Sequence, residues 1–184
     1  MFVRTAWTVY VFVAANCSIE VLSYSAYGTC DPKAYYGYVK LNGVAVWRAS
    51  WCGKFPAVTG ITMIVVDPFS CTIQESFYFD TYDSSTDATQ LSNYLRLVKG
   101  GSVIVGVSAD EPARKLYNAL STLQEIGVDV SDLQLRGSFA FVAQKGNQSK
   151  TIIHKVLTEE ESHTAPANLS VIVTGINIKY IRVD

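Results

Sequence analysis

Two side chains of this sequence are placed to grip a ligand, Arg136 and Asp110. Arg136 stands just ahead of an apolar run, residues 138–144, where a planar guanidinium fork at a strand's mouth can hold hydroxyls or a carboxylate. An arginine there can equally be a plain surface residue, or pair with Asp110 or Asp132. Asp110, in Ser108-Ala-Asp-Glu-Pro, can accept hydroxyl hydrogen bonds or act as a helix N-cap. The two roles are compatible only if one oxygen stays free. A third candidate is aromatic: Tyr24, Tyr27, Tyr35, Tyr36, Tyr38, Trp47 and Trp51 crowd the first third of the chain, and Tyr35 and Tyr36 sit beside Gly37. Tyrosine and tryptophan combine a stacking face with a polar tip, which suits sugar or protein recognition. β-rich cores and sheet faces collect them too.

Signatures of catalysis are missing. There is no Gly-x-Ser-x-Gly elbow, phosphate loop, His-Glu-x-x-His or Gly-x-Gly-x-x-Gly. His154 and His163 fall on a strand end and a loop, and a Cys–His pair would withdraw one cysteine from disulfide formation. Paired carboxylates stay open, since Asp83, Asp87 and Asp110 could converge. Asp80, in Phe79-Asp-Thr-Tyr82, reads as an Asx-type turn, with Tyr82 packed over the sheet edge. The expectation is a binding domain that is not an enzyme, with no cofactor and no metal site.

Of the 184 residues, 49% are hydrophobic and 17% charged, which argues against disorder and for one domain with a real core. A net charge of −1, with no more than two basic residues in a row, gives no electrostatic footprint for nucleic acid or anionic lipid. The four cysteines, Cys17, Cys30, Cys52 and Cys71, include no Cys-x-x-Cys pair, which disfavours zinc. Their even number accompanies three sequons, at Asn16, Asn147 and Asn168, with Asn147 and Asn168 the candidate glycosylation sites. Together these point to a secreted or cell-surface protein. Three cysteine connectivities are open; the preferred one joins Cys30 to Cys52, stapling the aromatic N-terminal hairpin, and leaves Cys17 with Cys71. Residues 1–15 read either as a short signal peptide ending in Val13-Ala-Ala or as an alternating strand through Val3, Trp7, Val9, Val11 and Val13. The stretch is too short to span a membrane.

The supporting elements follow from punctuation and period. Residues 18–25 and 36–48 are strand candidates, the second interrupted by Asn42-Gly43, a two-residue hairpin signal. Residues 61–66 and 72–79 form a hairpin through Asp67-Pro-Phe-Ser-Cys. A helix spans residues 86–98, with Ala88, Leu91, Tyr94, Leu95 and Val98 on its buried face. Residues 102–107 are a strand covered on both faces. A second helix is expected from a cap at Asp110 or Glu111, with Pro112 in its first turn, to Ile126 before Gly127. Residues 138–144 form a strand, and residues 151–182 add β-like sequence split by a polar loop over 159–168. The expected fold is mixed α/β, with helices packed on a twisted sheet in a single domain.

Several of these pieces, in this order, resemble the GG domain, also called the interleukin-like EMT inducer or PANDER-like domain: Ile61-Thr-Met-Ile-Val-Val-Asp-Pro, Phe79-Asp-Thr-Tyr, Gly100-Gly-Ser-Val-Ile-Val, the capped helix after Asp110, and Leu135-Arg-Gly-Ser-Phe-Ala-Phe-Val. That module occurs in secreted cytokine-like proteins, in hyaluronan-binding cell-surface proteins and in the stem of the protein O-mannose N-acetylglucosaminyltransferase. The resemblance covers residues 58–150, between a β-rich, aromatic part at 1–57 and C-terminal strands at 151–184. It implies a compact β-β-α fold with two packed sheets, disulfide support and no catalysis. In the transferase stem the domain is a lectin, whose sugar-contacting acid matches Asp110 and whose Arg-Asp-x-Trp run matches Arg136, Gly137, Ser138 and Phe139. Here Gly137 removes a carboxylate and Phe139 offers a smaller stacking face than tryptophan.

The expectation is therefore a secreted, non-catalytic, lectin-like domain that binds a glycan or glycoprotein through Asp110, Arg136, Phe139, Tyr35 and Tyr36. The alternative is a protein-interaction, signalling or self-assembly module in which strand-prone termini, residues 1–25 and 168–184, pair with other copies of the chain.

Overall fold

A computed structural model of the protein describes residues 16–23, 37–49, 59–174 and 177–181. Its described residues are strand-dominated, in two five-stranded antiparallel sheets with helices on one side. The first sheet contains β1 (Asn16–Ser23), β2 (Gly37–Leu41), β3 (Val44–Ala49), β9 (Ala167–Thr174) and β10 (Asn177–Tyr180), in the order β10-β9-β1-β2-β3. The second contains β4 (Gly60–Asp67), β5 (Thr72–Phe79), β6 (Val103–Ala109), β7 (Ser138–Gln144) and β8 (Asn147–Val156), in the order β5-β4-β6-β7-β8. α1 (Ser85–Leu97) and α2 (Leu120–Glu125) cover the second sheet, and α3 (Glu159–Thr164) links β8 to β9.

Burial explains the layering. Along β1, burial alternates, with Cys17, Ile19 and Val21 inside, as expected of a sheet with one wet face. Along β6 and β7 every residue is buried, because both faces are covered. On one face Ile64, Val66, Val105 and Val142 meet Ile19, Val21 and Val171 of the first sheet. On the other, Ile61, Met63, Phe139 and Phe141 meet Leu91, Leu95 and Leu123 of the helices. Gly106 is required there: a Cβ would lie 2.1 Å from Cε1 of Phe141, its cross-strand partner.

The Asn42-Gly43 hairpin is present, with φ of 49° and 78°, both in the left-handed region that a type I′ turn needs. α1 begins where the pattern places it, with Ser84 accepting the N–H of Asp87 at 3.0 Å. Asp80 forms the expected Asx turn, accepting from the N–H groups of Tyr82 and Asp83. Tyr82 carries the Arg114 guanidinium 4.8 Å from its ring centre. The disulfide Cys17–Cys71 ties β1 to the β4–β5 turn, and so one sheet to the other. Closing a separation of 54 residues contributes about 4 kcal/mol through the unfolded state. Cys30 and Cys52 lie outside the described residues, as do residues 1–15.

Three expectations are corrected. The second helix does not start at Asp110 or Glu111: residues 110–115 are irregular, a 3₁₀ turn follows at Leu116–Asn118, and α2 is six residues long. The loop after Phe79 claims the backbone that a longer helix would use, with Thr81 Oγ1 donating to the Pro112 carbonyl (2.8 Å) and Lys115 N–H donating to the Thr81 carbonyl (2.8 Å). The polar stretch after β8 is partly helical, because Thr158 caps α3 by accepting the N–H of Glu161. Finally, β1 is paired on both sides, by β2 and β9, and offers a neighbouring chain no edge; of the described strands near the termini, β10 does.

Candidate functional site: the Asp110–Arg136 corner

Asp110 follows the last residue of β6, and Arg136 stands two residues ahead of β7. Because β6 and β7 are antiparallel neighbours, the end of one lies beside the start of the other. Both residues adopt left-handed backbone, φ 55° at Asp110 and 59° at Arg136. Non-glycine residues hold that conformation at a cost, and only where the surroundings enforce it. Here the enforcement is visible. Ser23 Oγ donates to the Ser108 carbonyl (2.6 Å), and Ser108 Oγ accepts the Phe139 N–H (2.9 Å), so β1, β6 and β7 are bolted together beneath the corner.

Glu111 does the rest. Its side chain is almost wholly buried, 1% exposed, and one carboxylate oxygen accepts the N–H groups of Ala113 (2.7 Å) and Arg114 (3.1 Å). The other accepts the N–H of Arg136. One buried carboxylate thus fixes the turn after Asp110 and the turn before β7.

Arg136 Nη1 lies 3.7 Å from Asp110 Oδ1 and 3.8 Å from Glu159 Oε1. These separations make ion pairs but are too long for hydrogen bonds. Asp110 Oδ2 accepts from Thr59 Oγ1 at 3.3 Å, while its buried Oδ1 has no hydrogen-bond partner among the described residues. Thr59 is held in turn by Tyr78, whose hydroxyl donates to the Thr59 carbonyl (3.0 Å) and accepts its N–H (3.2 Å). Glu159 arrives on α3, which is anchored to β7 by the Ser162–Ser138 hydroxyl contact (2.9 Å).

Burial pushes the Asp110 carboxyl above its ordinary range; Arg136 and the Thr59 hydroxyl pull it down, and Glu159 adds a further upward push. Glu111 is also raised by burial, against the three N–H groups that favour its anion and with Asp110 adding to the rise. The corner therefore holds one guanidinium among three carboxylates. It can offer hydrogen-bond acceptors and a charged donor fork to a polar ligand.

The structure brings Asp110 and Arg136 together as an ion pair, one of the two partners considered for Arg136. Phe139 is corrected: its ring is fully buried and stacked on Phe141 at 6.3 Å between centroids, so it has no face for a sugar. Tyr35 and Tyr36 lie outside the described residues. His154 Nδ1 contacts the backbone of Asn168, and among the described residues no three His, Cys, Asp or Glu side chains are placed to hold a metal ion. Asn147 and Asn168 are both exposed, Asn147 at the β7–β8 turn and Asn168 within β9. Among the described residues no helix is long and apolar enough to cross a membrane.

Sequence reasoning missed Glu159, Thr59 and Tyr78 as members of the corner, and gave Glu111 only as an alternative cap. The acid pair Asp110-Glu111 after a strand buried on both faces was the available signal for Glu111. Nothing local marks Glu159 as a neighbour of Arg136.

Fold and corner define a β-rich domain of two facing sheets, helices over one of them, and an acid–arginine cluster where two central strands end. Residues 59–147 match the family described as interleukin-like EMT inducer, the same module the short motifs resemble. Over 95 residues the chain is 32% identical to the human "Cell migration-inducing and hyaluronan-binding protein", an alignment covering 50% of this chain and 7% of that protein. The matched family segment contains β4 to β7, α1, α2, Asp110, Glu111 and Arg136. The first sheet and Glu159 lie outside it.

Proposed function

We propose that this chain is a non-catalytic, extracellular carbohydrate-binding domain, and that Asp110 and Arg136 contact the sugar. The observation that carries the reading is the pair of left-handed, non-glycine residues facing each other at the ends of adjacent strands, with Asp110 Oδ1 buried and, among the described residues, without a hydrogen bond. Backbone strain and an unsatisfied buried acceptor coincide where functional groups are held in readiness. A small shift of the guanidinium would let a ligand hydroxyl reach that oxygen.

Charge narrows the ligand. One arginine among Asp110, Glu111 and Glu159 repels a carboxylate-rich chain at this spot. Hydroxyls of an uncharged sugar unit suit it, either in a neutral glycan or as the neutral unit of an acidic polysaccharide. Phe139 is unavailable for stacking, whereas Tyr78, joined to the corner through Thr59, exposes 44% of its surface. The extracellular setting is supported by the Cys17–Cys71 disulfide, the three sequons and the human relative's name.

A glycan array probed with the chain and with Arg136→Ala tests this reading. The expected result is a set of neutral or amino-sugar-containing glycans whose binding falls at least tenfold in the variant, with the glycans recovered chemically unchanged. Binding indifferent to the substitution moves the site elsewhere, and a blank array removes the carbohydrate reading.

A further inference from the structure

Of the three sequons, one keeps all of its residues at the surface once the chain has folded. Asn147, Gln148 and Ser149 open β8, an outer strand of the second sheet, and all three are exposed. Gly146, at φ 85°, turns the chain between Gln144 and Asn147, which pair at the head of the β7–β8 hairpin. Gln148 Nε2 donates to the Glu125 carbonyl (2.7 Å) and fixes that hairpin against the end of α2. Side chains two apart on a strand share a face, so the asparagine and the hydroxyl of this sequon stand side by side. Ser149 Oγ donates to Asn147 Oδ1 at 2.8 Å. That bond uses the carboxamide oxygen and leaves out Nδ2, the atom to which sugar is attached.

Folding withdraws the other two. Asn16-Cys-Ser has its middle residue, Cys17, wholly buried in the disulfide with Cys71, and Asn16 Oδ1 accepts the Thr174 hydroxyl (2.8 Å). Asn168 is exposed, but its sequon runs along β9 with Leu169 buried, its backbone paired to β1 and its N–H donating to His154 Nδ1 (3.0 Å). A sequon that stays presented after folding is a substrate for longer than one that folding draws into a sheet.

We propose that Asn147 is a modification site, the acceptor of an N-linked oligosaccharide and the most fully occupied of the three sequons. This rests on the extracellular part of the reading above, since the chain meets the donor only in the secretory pathway. The donor class is an oligosaccharide carried on a lipid diphosphate. Nδ2 bonds to the anomeric carbon, the bond from that carbon to the phosphate oxygen breaks, the lipid diphosphate leaves, and Nδ2 gives up one proton. β7 runs from Ser138, beside the Asp110 corner, to Gln144, beside Asn147, so its seven residues set the glycan ~20 Å from the corner. The corner stays open to its own ligand, while the sugar shields the start of an outer strand.

The full chain is sent through the secretory pathway of animal cells behind a cleavable leader, and the native protein is taken from its source. Both are treated with peptide N-glycosidase in heavy-oxygen water, which turns each glycosylated asparagine into a labelled aspartate, and are mapped by peptide mass. Expected in both is label at Asn147 in most molecules, above that at Asn16 or Asn168. Behind the leader, Ser149→Thr should keep the label and Ser149→Ala should lose it at least tenfold. No label at Asn147 behind the leader, or more at Asn16 or Asn168, overturns the assignment of Asn147 alone. Label behind the leader with every sequon bare in the native protein overturns the proposal through the extracellular reading on which it rests. A labelled Asn147 in the native protein beside a blank glycan array keeps the modification and removes the ligand.

Discussion

The surface turns and the Asp110 corner use the same side-chain chemistry to opposite ends. At the surface, Asp67 accepts the N–H groups of Phe69 and Ser70, Asp80 those of Tyr82 and Asp83, and Asp129 the N–H and hydroxyl of Ser131. For Asp67 and Asp129 these bonds hold the carboxyl below its ordinary range, and water supplies the remaining solvation. At the corner Glu111 takes three backbone N–H groups, more than any of these, yet burial still drives its carboxyl upward, and Asp110 beside it rises too. An acid that closes a turn needs no burial. Acids that remain buried against their own desolvation are the ones to suspect of a second task.

The largest effect expected from breaking this contrast is at Glu111. Glu111→Ala leaves the N–H groups of Ala113, Arg114 and Arg136 without their acceptor in a buried setting, at a cost of roughly 3 kcal/mol. Urea denaturation should show the midpoint falling with little change in slope. Glu111→Gln, which keeps an accepting oxygen, should lose less. A loss no greater than for an exposed turn acid would mean that Glu111 does not organise the corner.

How much of this was readable depends on where each residue finds its partners. Asn42-Gly43 was legible because a positive φ at two successive positions is a property of the residues themselves. The start of α1 was legible from its apolar period, and Ser84 could have been read as its cap, since that bond reaches three residues ahead. The second helix misled because its Pro-led start is a local signal, overruled by bonds from Thr81, more than thirty positions upstream. Phe139 misled for another reason: it was carried over from the tryptophan of the lectin's Arg-Asp-x-Trp run, and β7, covered on both faces, leaves no exposed side from which such a ring could stack. Thr158 and Glu161 spell a recognisable cap, so α3 could have been found. Glu159 meeting Arg136 could not, since that depends on how α3 docks through Ser162 onto β7.

Asp110→Asn sharpens the contrast through pH. An acid whose folded pKa is raised holds its proton more tightly in the native state than in the unfolded one, so stability falls as pH rises from the ordinary value of 3.8 through the raised value. The amide has no such penalty. Thermal melts across the acid-to-neutral range should show the variant more stable than the parent at neutral pH, with a gain smaller than the Glu111→Ala loss, and the two curves converging near and below 3.8. Glycan binding should fall in the same variant. Gained stability with lost binding is the mark of a group kept for its ligand. A variant that loses stability at neutral pH would show instead that the Arg136 ion pair outweighs desolvation, and the corner would be structural.

Asp67→Ala is the mirror experiment and should give the smallest effect. The Asp67 carboxyl lies below its ordinary range chiefly through the Ser70 N–H, then the Phe69 N–H, so its contribution is present above 3.8 and is lost as pH falls through the lowered value. The variant should be slightly less stable than the parent at neutral pH and indistinguishable from it in strong acid, a slope opposite in sign to that of Asp110→Asn. Because Asp67 is at the surface, salt should shrink the difference further. The turn it closes also delivers Cys71 to its disulfide with Cys17, in left-handed backbone at φ 55°. If the Asp67 effect exceeded that of Asp110, the acid would be acting through the disulfide rather than through its two N–H bonds, and repeating the melt on the reduced protein would separate the two contributions.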